Sequence, residues 1–281
     1  MTEIGNVLSL FDGMSNGQIA LNRSNIGYKN YYASEIDEHA IGVTMANYPD
    51  TIQLGDVTRV KGSDLPEIDL LIGGSPCQGF SLAGNRLNFN DPRSKLFFEY
   101  VRLKNELNPR YFMLENVVVD RAWVDIISEQ VGVSPYLLNS SDVSGQERAR
   151  LYWTNIPLLP LPVDRKIKFE DILESGRVLK PKSQTILATL YKENAKSMLT
   201  RRKKGLLVYE GTGDINEAFN LAHDKPETYK HLWRKVSPLE CERLQTVPDN
   251  YTASASDTQR YRMLGNGWTI DIISHIFNNL K

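Results

Sequence analysis

The length, composition and charge of this chain fit a globular protein with one large core, or with a main domain and a smaller one. The 281 residues are 41% hydrophobic and 24% charged, a usual balance for such proteins. No stretch approaches the roughly 18 apolar residues of a membrane span, and MTEIGNVLSLF does not have the pattern of a signal peptide. Cys77 and Cys241, the two cysteines, lie far apart, and the four histidines are scattered. We therefore expect a cytoplasmic protein without metal, disulfide framework or membrane attachment.

The net charge of −1 conceals an uneven distribution. Residues 1–140 carry 11 Lys and Arg against 17 Asp and Glu, whereas residues 165–204 carry 12 against 4. The second stretch ends in the run Arg201, Arg202, Lys203 and Lys204. A local positive field attracts a polyanion, which favours a nucleic acid partner. A basic face that contacts only solvent would give the same pattern, so charge alone leaves both interpretations open.

The first half of the chain alternates short apolar runs with helical stretches. We predict strands over 6–11, 31–36, 51–57, 68–74 and 111–117, and later strands within 134–143 and 148–156. Helices are predicted between them, the longest over 94–107. This alternation is typical of an α/β fold with a doubly wound, mostly parallel, Rossmann-like sheet.

The sequence changes character after residue 157. Residues 158–236 contain prolines, the basic stretch and weak periodicity, which predicts a small, irregular domain. A helix start follows at Ser237, and apolar residues at helical spacing within 268–280 predict a final helix that packs on the main domain. We therefore predict a main domain of 1–157 and 237–281 with 158–236 inserted into it.

Polar residues follow the first three predicted strands, at the edge where open α/β sheets bind ligands. The loop FDGMSNG allows close backbone approach, and Asp12 would repel a pyrophosphate but attract a cationic group. Glu35, 22 residues after Gly13, is suited to bind ribose hydroxyls, and Asp56 to accept from an adenine amino group. Each feature alone also fits a structural turn or a solvated acid. Their order together favours a nucleoside ligand without phosphates.

The fourth and fifth predicted strands lead to residues suited to covalent chemistry. Cys77 lies in the glycine-flanked loop GGSPCQGF, where backbone N–H groups favour a thiolate nucleophile. A buried cysteine packed as a small hydrophobe is the alternative. Glu115 can donate a proton to a ring nitrogen. Arg148 and Arg150 would share one strand face and hold a carboxylate, phosphate or base oxygen, unless they are surface charges on an edge strand.

Seven motifs in this order resemble the cytosine-C5 DNA methyltransferases. They are FDGMSNG, ASE, GDV, GGSPCQGFS, ENVV, QERARLYW and RMLGNGW, and the resemblance covers about 1–155 and 237–281. IGGSPC, LFFEY, ENVV and RARLYW are especially similar to the catalytic domains of animal de novo DNA methyltransferases. The length is closer to that of a compact bacterial or phage enzyme.

The resemblance implies a methyltransferase that uses S-adenosylmethionine (SAM) and acts on double-stranded DNA as a monomer. Cys77 would attack C6 of a flipped cytosine while Glu115 contacts N3, and Arg148 and Arg150 would steady the base and its phosphate. The implied SAM-binding residues are Phe11, Asp12, Gly13, Met14, Glu35, Ile36, Asp56, Val57, Gly74, Pro76, Leu96, Asn266 and Trp268. The implied DNA-binding residues are Gln78, Ser81, Arg201, Arg202, Lys203 and Lys204, and 158–236 would be the target-recognition domain.

Three other functions stay open at this point. An RNA cytosine-C5 methyltransferase, acting on tRNA, would share the catalytic residues, although no CFT-like signature of that branch is present. A catalytically silent DNA-binding paralogue would be expected to have lost Cys77 or Glu115. A nicotinamide dehydrogenase fits the sheet, but the chain has no GxGxxG after the first strand and carries Asp12 there.

Overall fold

The structure is a computed structural model that describes residues 2–75, 92–157 and 160–280. These residues form two compact units. The first comprises 1–138, 149–161 and 272–281, and the second comprises 139–148 and 162–271, as far as they are described. None of the helices in these described stretches is long and apolar enough to cross a membrane.

A seven-stranded sheet organises the first unit. Its strands are β1 (Thr2–Leu10), β2 (Ile26–Ser34), β3 (Ile52–Gln53), β4 (Ile68–Gly74), β5 (Tyr111–Val117), β6 (Tyr136–Asn139) and β7 (Ala149–Thr154). The strand order is β3-β2-β1-β4-β5-β7-β6. β1 to β5 pair in parallel, whereas β7 is antiparallel to β5. The prediction of a doubly wound, mostly parallel α/β sheet is confirmed.

Helices link the parallel strands, as the alternating pattern predicts. They are α1 (Asn16–Arg23), α2 (Glu38–Asn47), α3 (Pro92–Leu107) and α4 (Arg121–Val131). β4 and β5 have the predicted bounds because their apolar runs are buried and end at glycine or at polar residues. Leu71 and Leu114, both fully buried, belong to one apolar core cluster with side chains of α3 and α4.

Two predicted strands differ from the observed ones at the edge predicted to bind a ligand. β3 has two residues instead of the predicted 51–57, because Asp56 ends the extended chain by accepting the N–H of Thr58 and capping a short 3-10 turn. β2 ends at Ser34 instead of residue 36, because Glu35 turns the chain by accepting the N–H groups of Ile36 and Asp37. Both acidic residues therefore lie in loops beyond the strands.

The second unit contains short helices and a three-stranded antiparallel sheet. Its helices are α5 (Ala195–Thr200), α6 (Ile215–Asp224), α7 (Pro226–Tyr229), α8 (Pro238–Leu244) and α9 (Asp257–Asn266), and its strands are β8 (Arg177–Val178), β9 (Leu207–Tyr209) and β10 (Trp233–Lys235). The final helix, α10 (Ile270–Phe277), lies mostly in the first unit. α8 begins as predicted, with reciprocal hydrogen bonds between Ser237 and Glu240.

The second unit extends beyond the predicted insertion of 158–236. Of two fully buried carboxylates on α8, Glu240 connects the residues after 236 to the preceding part of the unit, whereas Glu242 binds residues that follow it. Glu240 binds Arg234 and the N–H of Glu174, and Glu242 binds Arg260 and Thr252. Burying these charges requires such partners, so α8 packs with the preceding residues. The division into a catalytic and a recognition domain stays a prediction.

Candidate active site

The loop after β1 turns sharply, and the described residues leave open space beside its backbone. Phe11, Gly13 and Ser15 have φ of 57°, 60° and 63°, all in the left-handed region that glycine adopts most readily. A Cβ placed on Gly13 would meet none of the described atoms within 4 Å. Met14 is 1% exposed and anchors the loop in the core. A ligand can therefore approach the backbone at Gly13.

Asp12 lies buried in this loop, and its two carboxylate oxygens have different surroundings. Its Oδ1 accepts from the hydroxyl of Tyr31 at 2.8 Å, while Oδ2 is buried and has no hydrogen-bond partner among the described residues. Burial raises the pKa of Asp12 to about 6, against hydrogen bonds that lower it. At neutral pH the protein therefore holds a buried carboxylate that a cationic ligand group would stabilise.

Glu35 connects the loops that follow β1 and β2. Its Oε2 accepts the N–H of Gly13 at 2.8 Å, and its Oε1 accepts the N–H groups of Ile36 and Asp37 at 2.8 and 2.9 Å. These three bonds fix the carboxylate at the edge of the sheet. Ile36 beside it is 73% exposed, so a large apolar side chain is available to a ligand here.

Asp56 lies in the loop after β3, the neighbour of β2. Its Oδ1 accepts the N–H and the hydroxyl of Thr58, both at 2.9 Å, and these bonds lower the pKa of Asp56. The Ser34 hydroxyl donates to the carbonyl of Gly55 at 2.7 Å and so connects this loop to β2. Val57 is buried. Asp12, Glu35 and Asp56 thus follow three neighbouring strands at one edge, as predicted.

Glu115, on β5, forms an ion pair with Arg150 on β7. Nε of Arg150 lies 3.1 Å from Oε1 of Glu115, and the two side chains are 13% and 11% exposed. In the antiparallel register Glu115 is opposite Tyr152 and Val117 is opposite Arg150. Glu115 and Arg150 are therefore diagonal neighbours on one face, within reach of a long side chain.

Asn116, also at this edge, has a structural role that its sequence position alone does not predict. It is 2% exposed, and its Nδ2 lies 3.2 Å from the Ser75 hydroxyl and 3.4 Å from the Ser75 carbonyl oxygen. It thereby holds the backbone that leaves β4 at Gly74. The signal in the sequence was an amide residue within an otherwise mostly apolar strand, directly after Glu115. Pro76, Cys77, Gln78 and Ser81 follow in sequence and lie outside the described residues.

Arg148 differs from Arg150, so the predicted pair on one strand face is wrong. Arg148 precedes β7, is 3% exposed and belongs to the second unit. Its guanidinium donates to the carbonyl oxygens of Ile186, Gly265 and Gly267. Those acceptors lie at the end of α9 and in a distant loop, so the guanidinium joins two parts of its own unit.

The remaining predicted cofactor-binding residues belong to different units of the chain. Leu96 is half-buried on α3 of the first unit. Asn266 is exposed at the end of α9 and Trp268 is buried, and both belong to the second unit. Their contact with a cofactor stays a prediction. The described residues contain no group of His, Cys, Asp and Glu able to hold a metal ion.

The four cations of the basic run have different surroundings. Arg201 and Lys203 both pair with the carboxylate of Glu193. Nζ of Lys204 lies 4.6 Å from the ring centroid of Phe219. Arg202 is exposed and makes no side-chain hydrogen bond or ion pair within the described stretches. Of the four cations, Arg202 is therefore the one most available to a polyanion.

Known structures first establish the fold class. A triple mutant of DNMT2 from Spodoptera frugiperda superposes with a TM-score of 0.77 at 20% identity, covering 98% of this chain and 100% of that one. Dnmt2 of S. pombe gives a TM-score of 0.72 at 17% identity, covering 97% and 96%. The chain thus has the α/β fold of a methyltransferase.

Sequence comparison then identifies the family. Residues 5–119 and 163–281 match the C-5 cytosine-specific DNA methylase model, and the chain belongs to this family. The type II methyltransferase M1.ScrFI of Lactococcus lactis subsp. cremoris is 30% identical over 96% of this chain and 76% of its own length. The orphan methyltransferase M.SPRI of Bacillus phage SPR is 34% identical over 78% of this chain and 52% of its own. The chain therefore spans only about half the length of that phage relative.

Proposed function

We propose that this chain transfers a methyl group from SAM to C5 of a flipped cytosine in a specific duplex DNA sequence. The observation that carries the proposal is the edge where three carboxylate-bearing loops follow β1, β2 and β3, with the Glu115–Arg150 pair at the ends of β5 and β7. Membership of the C-5 cytosine-specific DNA methylase family supports it, and so do the names of the bacterial and phage relatives.

The residues after the first three strands suit the parts of SAM, which supplies the methyl group when it is bound. Asp12 has a buried oxygen without a hydrogen-bond donor among the described residues, and this oxygen suits the cationic part. Glu35 suits the ribose hydroxyls, and Asp56 suits the adenine amino group. Ile36 offers an apolar surface to the adenine ring. Phe11, Gly13, Met14, Val57, Gly74, Pro76, Leu96, Asn266 and Trp268 complete the proposed set.

The catalytic chemistry falls to Cys77, Glu115 and Arg150. The Cys77 thiolate adds to C6 of the cytosine while Glu115 contacts N3, and the added electron density makes C5 nucleophilic. After C5 is methylated, loss of its proton lets the C6–S bond break and restores both the ring and Cys77. Arg150 holds Glu115 in place through their ion pair. Arg148 acts by positioning, since its guanidinium already binds three carbonyl oxygens.

The DNA would be contacted by Gln78, Ser81 and the basic run, and the target sequence would be read by residues within 158–236. The excess of Lys and Arg over 165–204 supports this part of the proposal. We further propose that the protein acts as a monomer in a bacterial cytoplasm, where it is encoded by the host or by a phage. The bacterial and phage relatives support this location.

Replacing the proposed nucleophile tests the function. Cys77→Ser should abolish methyl transfer from labelled SAM to duplex DNA, while calorimetry should find SAM binding nearly unchanged. Cys241→Ala is the matched control, because that thiol is fully buried and its replacement should leave turnover intact. Retained turnover in Cys77→Ser would rule out the covalent route.

The same assay separates the alternatives. Methylation of tRNA without methylation of duplex DNA would replace our proposal with an RNA methyltransferase. SAM and DNA binding without turnover would identify a silent paralogue, and binding of NAD instead of SAM a dehydrogenase. Bisulfite sequencing of DNA from cells that express the chain then reports the methylated sequence.

A further inference from the structure

Tyr31 is connected to the candidate cofactor site through a hydrogen bond to the carboxylate of Asp12. This tyrosine is on β2, is 2% exposed, and donates its hydroxyl hydrogen to Oδ1 of Asp12 at 2.8 Å. A hydrogen bond to a charged acceptor is stronger and more directional than one between neutral groups. The bond therefore fixes the rotation of a carboxylate that has little contact with solvent.

The sequence makes room for this hydroxyl at Gly17. A Cβ on Gly17 would lie 2.4 Å from the Tyr31 oxygen and 2.4 Å from Cδ1 of Ile72. Real Cβ atoms do not approach other atoms so closely, so a residue with a Cβ at position 17 would require Tyr31 and Ile72 to shift. Glycine at the start of α1 thus leaves room for the Tyr31 hydroxyl where it contacts Asp12.

We propose that Tyr31 is a positioning residue of the cofactor site, whose hydroxyl orients Asp12 so that Oδ2 receives the cationic part of the cofactor. The inference rests on the proposed use of SAM. Tyr31 uses Oδ1 and leaves Oδ2 buried without a donor from the described residues. If the carboxylate rotated, Oδ2 would no longer be held in the position that lacks a donor.

Two other titratable groups interact electrostatically with Asp12. Glu35, after β2, raises the pKa of Asp12, and Tyr28, on β2, has its own pKa raised by Asp12. Burial is the main influence that raises the pKa of Asp12, and the Tyr31 hydrogen bond is among the contacts that lower it. Without the Tyr31 hydroxyl, the carboxylate would take up a proton at higher pH.

Tyr31→Phe tests the proposal because it removes the hydroxyl but keeps the ring. We expect SAM affinity, measured by calorimetry at pH 8, to fall about tenfold, the usual effect of one hydrogen bond to a charged group. As pH falls, affinity should begin to decline at a higher pH than in the wild type. The maximal turnover at saturating SAM should change little.

Tyr28→Phe is the matched control on the same strand. The ring centroids of Tyr28 and Tyr31 lie 5.7 Å apart, and the Tyr28 hydroxyl donates to Oε1 of Gln18 at 2.7 Å instead of to Asp12. This variant loses a similar hydrogen bond, but one that is not made to Asp12. It should therefore keep the wild-type SAM affinity and pH profile.

A double-mutant cycle shows whether Tyr31 acts through Asp12. Tyr31→Phe should have little further effect on SAM affinity once Asp12→Asn is present. An equal loss in both backgrounds would overturn the proposal. The same conclusion follows if Tyr31→Phe and Tyr28→Phe have matching affinities and pH profiles.

A second substitution covers the case in which Tyr31→Phe does not fold. Replacing Tyr31 by 3-fluorotyrosine keeps the hydroxyl and makes it a stronger donor, so the decline in SAM affinity should move to lower pH. A profile that is unchanged or moved to higher pH would overturn the proposal. Failure of the wild-type protein to bind SAM would instead refute the proposed cofactor, and so the two failures are distinguishable.

Discussion

The loops after β1, β2 and β3 and the basic stretch of 165–204 use charge in different ways. In the loops, Glu35 and Asp56 accept hydrogen bonds from the backbone N–H groups around them. In the basic stretch, Lys182 donates to three carbonyl oxygens, and Arg201 and Lys203 share Glu193. The loop carboxylates are thus held in place beside open space, whereas many cations are occupied within their own unit.

This difference shows that the position of a charged residue in the sequence predicts its binding role only where the fold fixes that position. A strand end gives an acidic residue a fixed position at the sheet edge, so its place in the sequence predicts its place in the site. An irregular segment provides no such frame, and its cations pair with whatever carboxylates and carbonyls the chain brings near. The stretch still has an excess of positive charge, but its single residues differ in how available they are to a polyanion.

The largest effect is expected at the end of β5, where a strand-end carboxylate takes part in the proposed chemistry. Glu115→Gln keeps the shape of the side chain but removes its ability to ionise and to exchange a proton. Turnover at saturating SAM and DNA should fall by about 10²- to 10⁴-fold, the usual contribution of a general acid or base. Single-turnover methylation of duplex DNA measures this loss.

Glu106→Gln is the control for that substitution. Glu106 pairs with Arg102 on the surface of α3, and its side chain is 40% exposed. It makes the same kind of carboxylate–guanidinium contact in the same unit without belonging to the proposed site. Equal losses of turnover in the two variants would mean that the Glu115–Arg150 pair is only structural.

A smaller effect, on binding and stability, is expected at Asp12. The pKa of Asp12 is raised from 3.8 to about 6, so the native state binds the proton more tightly than the unfolded state does. Between pH 4 and pH 7 the cofactor-free protein should therefore lose about 2 kcal/mol of unfolding free energy relative to Asp12→Asn. Denaturant unfolding at several pH values measures this difference.

The same variant should bind SAM about 10- to 100-fold more weakly at pH 8, because a charged acceptor is lost. Calorimetry measures the affinity. A constant stability difference across this pH range would contradict the buried charge. Unchanged SAM affinity would remove Asp12 from the proposed site and would weaken the contrast between the two regions.

The smallest effects are expected in and beside the basic run, where substitutions should either weaken or strengthen the binding of duplex DNA. Arg202→Ala should lower the slope of log affinity for duplex DNA against log salt by about 1, because one phosphate contact is lost. Arg201→Ala should change it less, since Glu193 already neutralises that residue. Glu193→Gln should raise DNA affinity by freeing two cations. Fluorescence anisotropy over a salt series measures all three, and equal slopes would mean that the run faces solvent.

Much of the sheet and of its binding edge was predictable from sequence. Buried apolar runs define β4 and β5, and the turn after each strand contains glycine or a polar residue. The order of Asp12, Glu35 and Asp56 along the chain then indicates one edge. Strand ends were harder to predict where a side chain bonds to its own loop, as Asp56 does with Thr58.

Other residues depend on contacts that sequence spacing does not reveal. Arg148 was paired with Arg150 because residues two apart share a strand face, but its acceptors lie 38 to 119 residues away. Asn116 bonds Ser75, 41 residues earlier. In the sequence, Tyr31 has the pattern of an ordinary strand residue. Its bond to Asp12 could not be predicted because it depends on the register between β1 and β2.

The two glycines of FDGMSNG have different evolutionary constraints. Gly13 faces open space, and its positive φ is what limits replacement there. Gly17 has no free volume because the Tyr31 oxygen and Ile72 already fill the place of a Cβ. A lineage that exchanged both Tyr31 and Ile72 for smaller residues would relax the constraint at position 17 but not at position 13. Coupled variation of 17 with 31 and 72, and independent conservation of 13, are therefore the pattern that selection on this loop would produce.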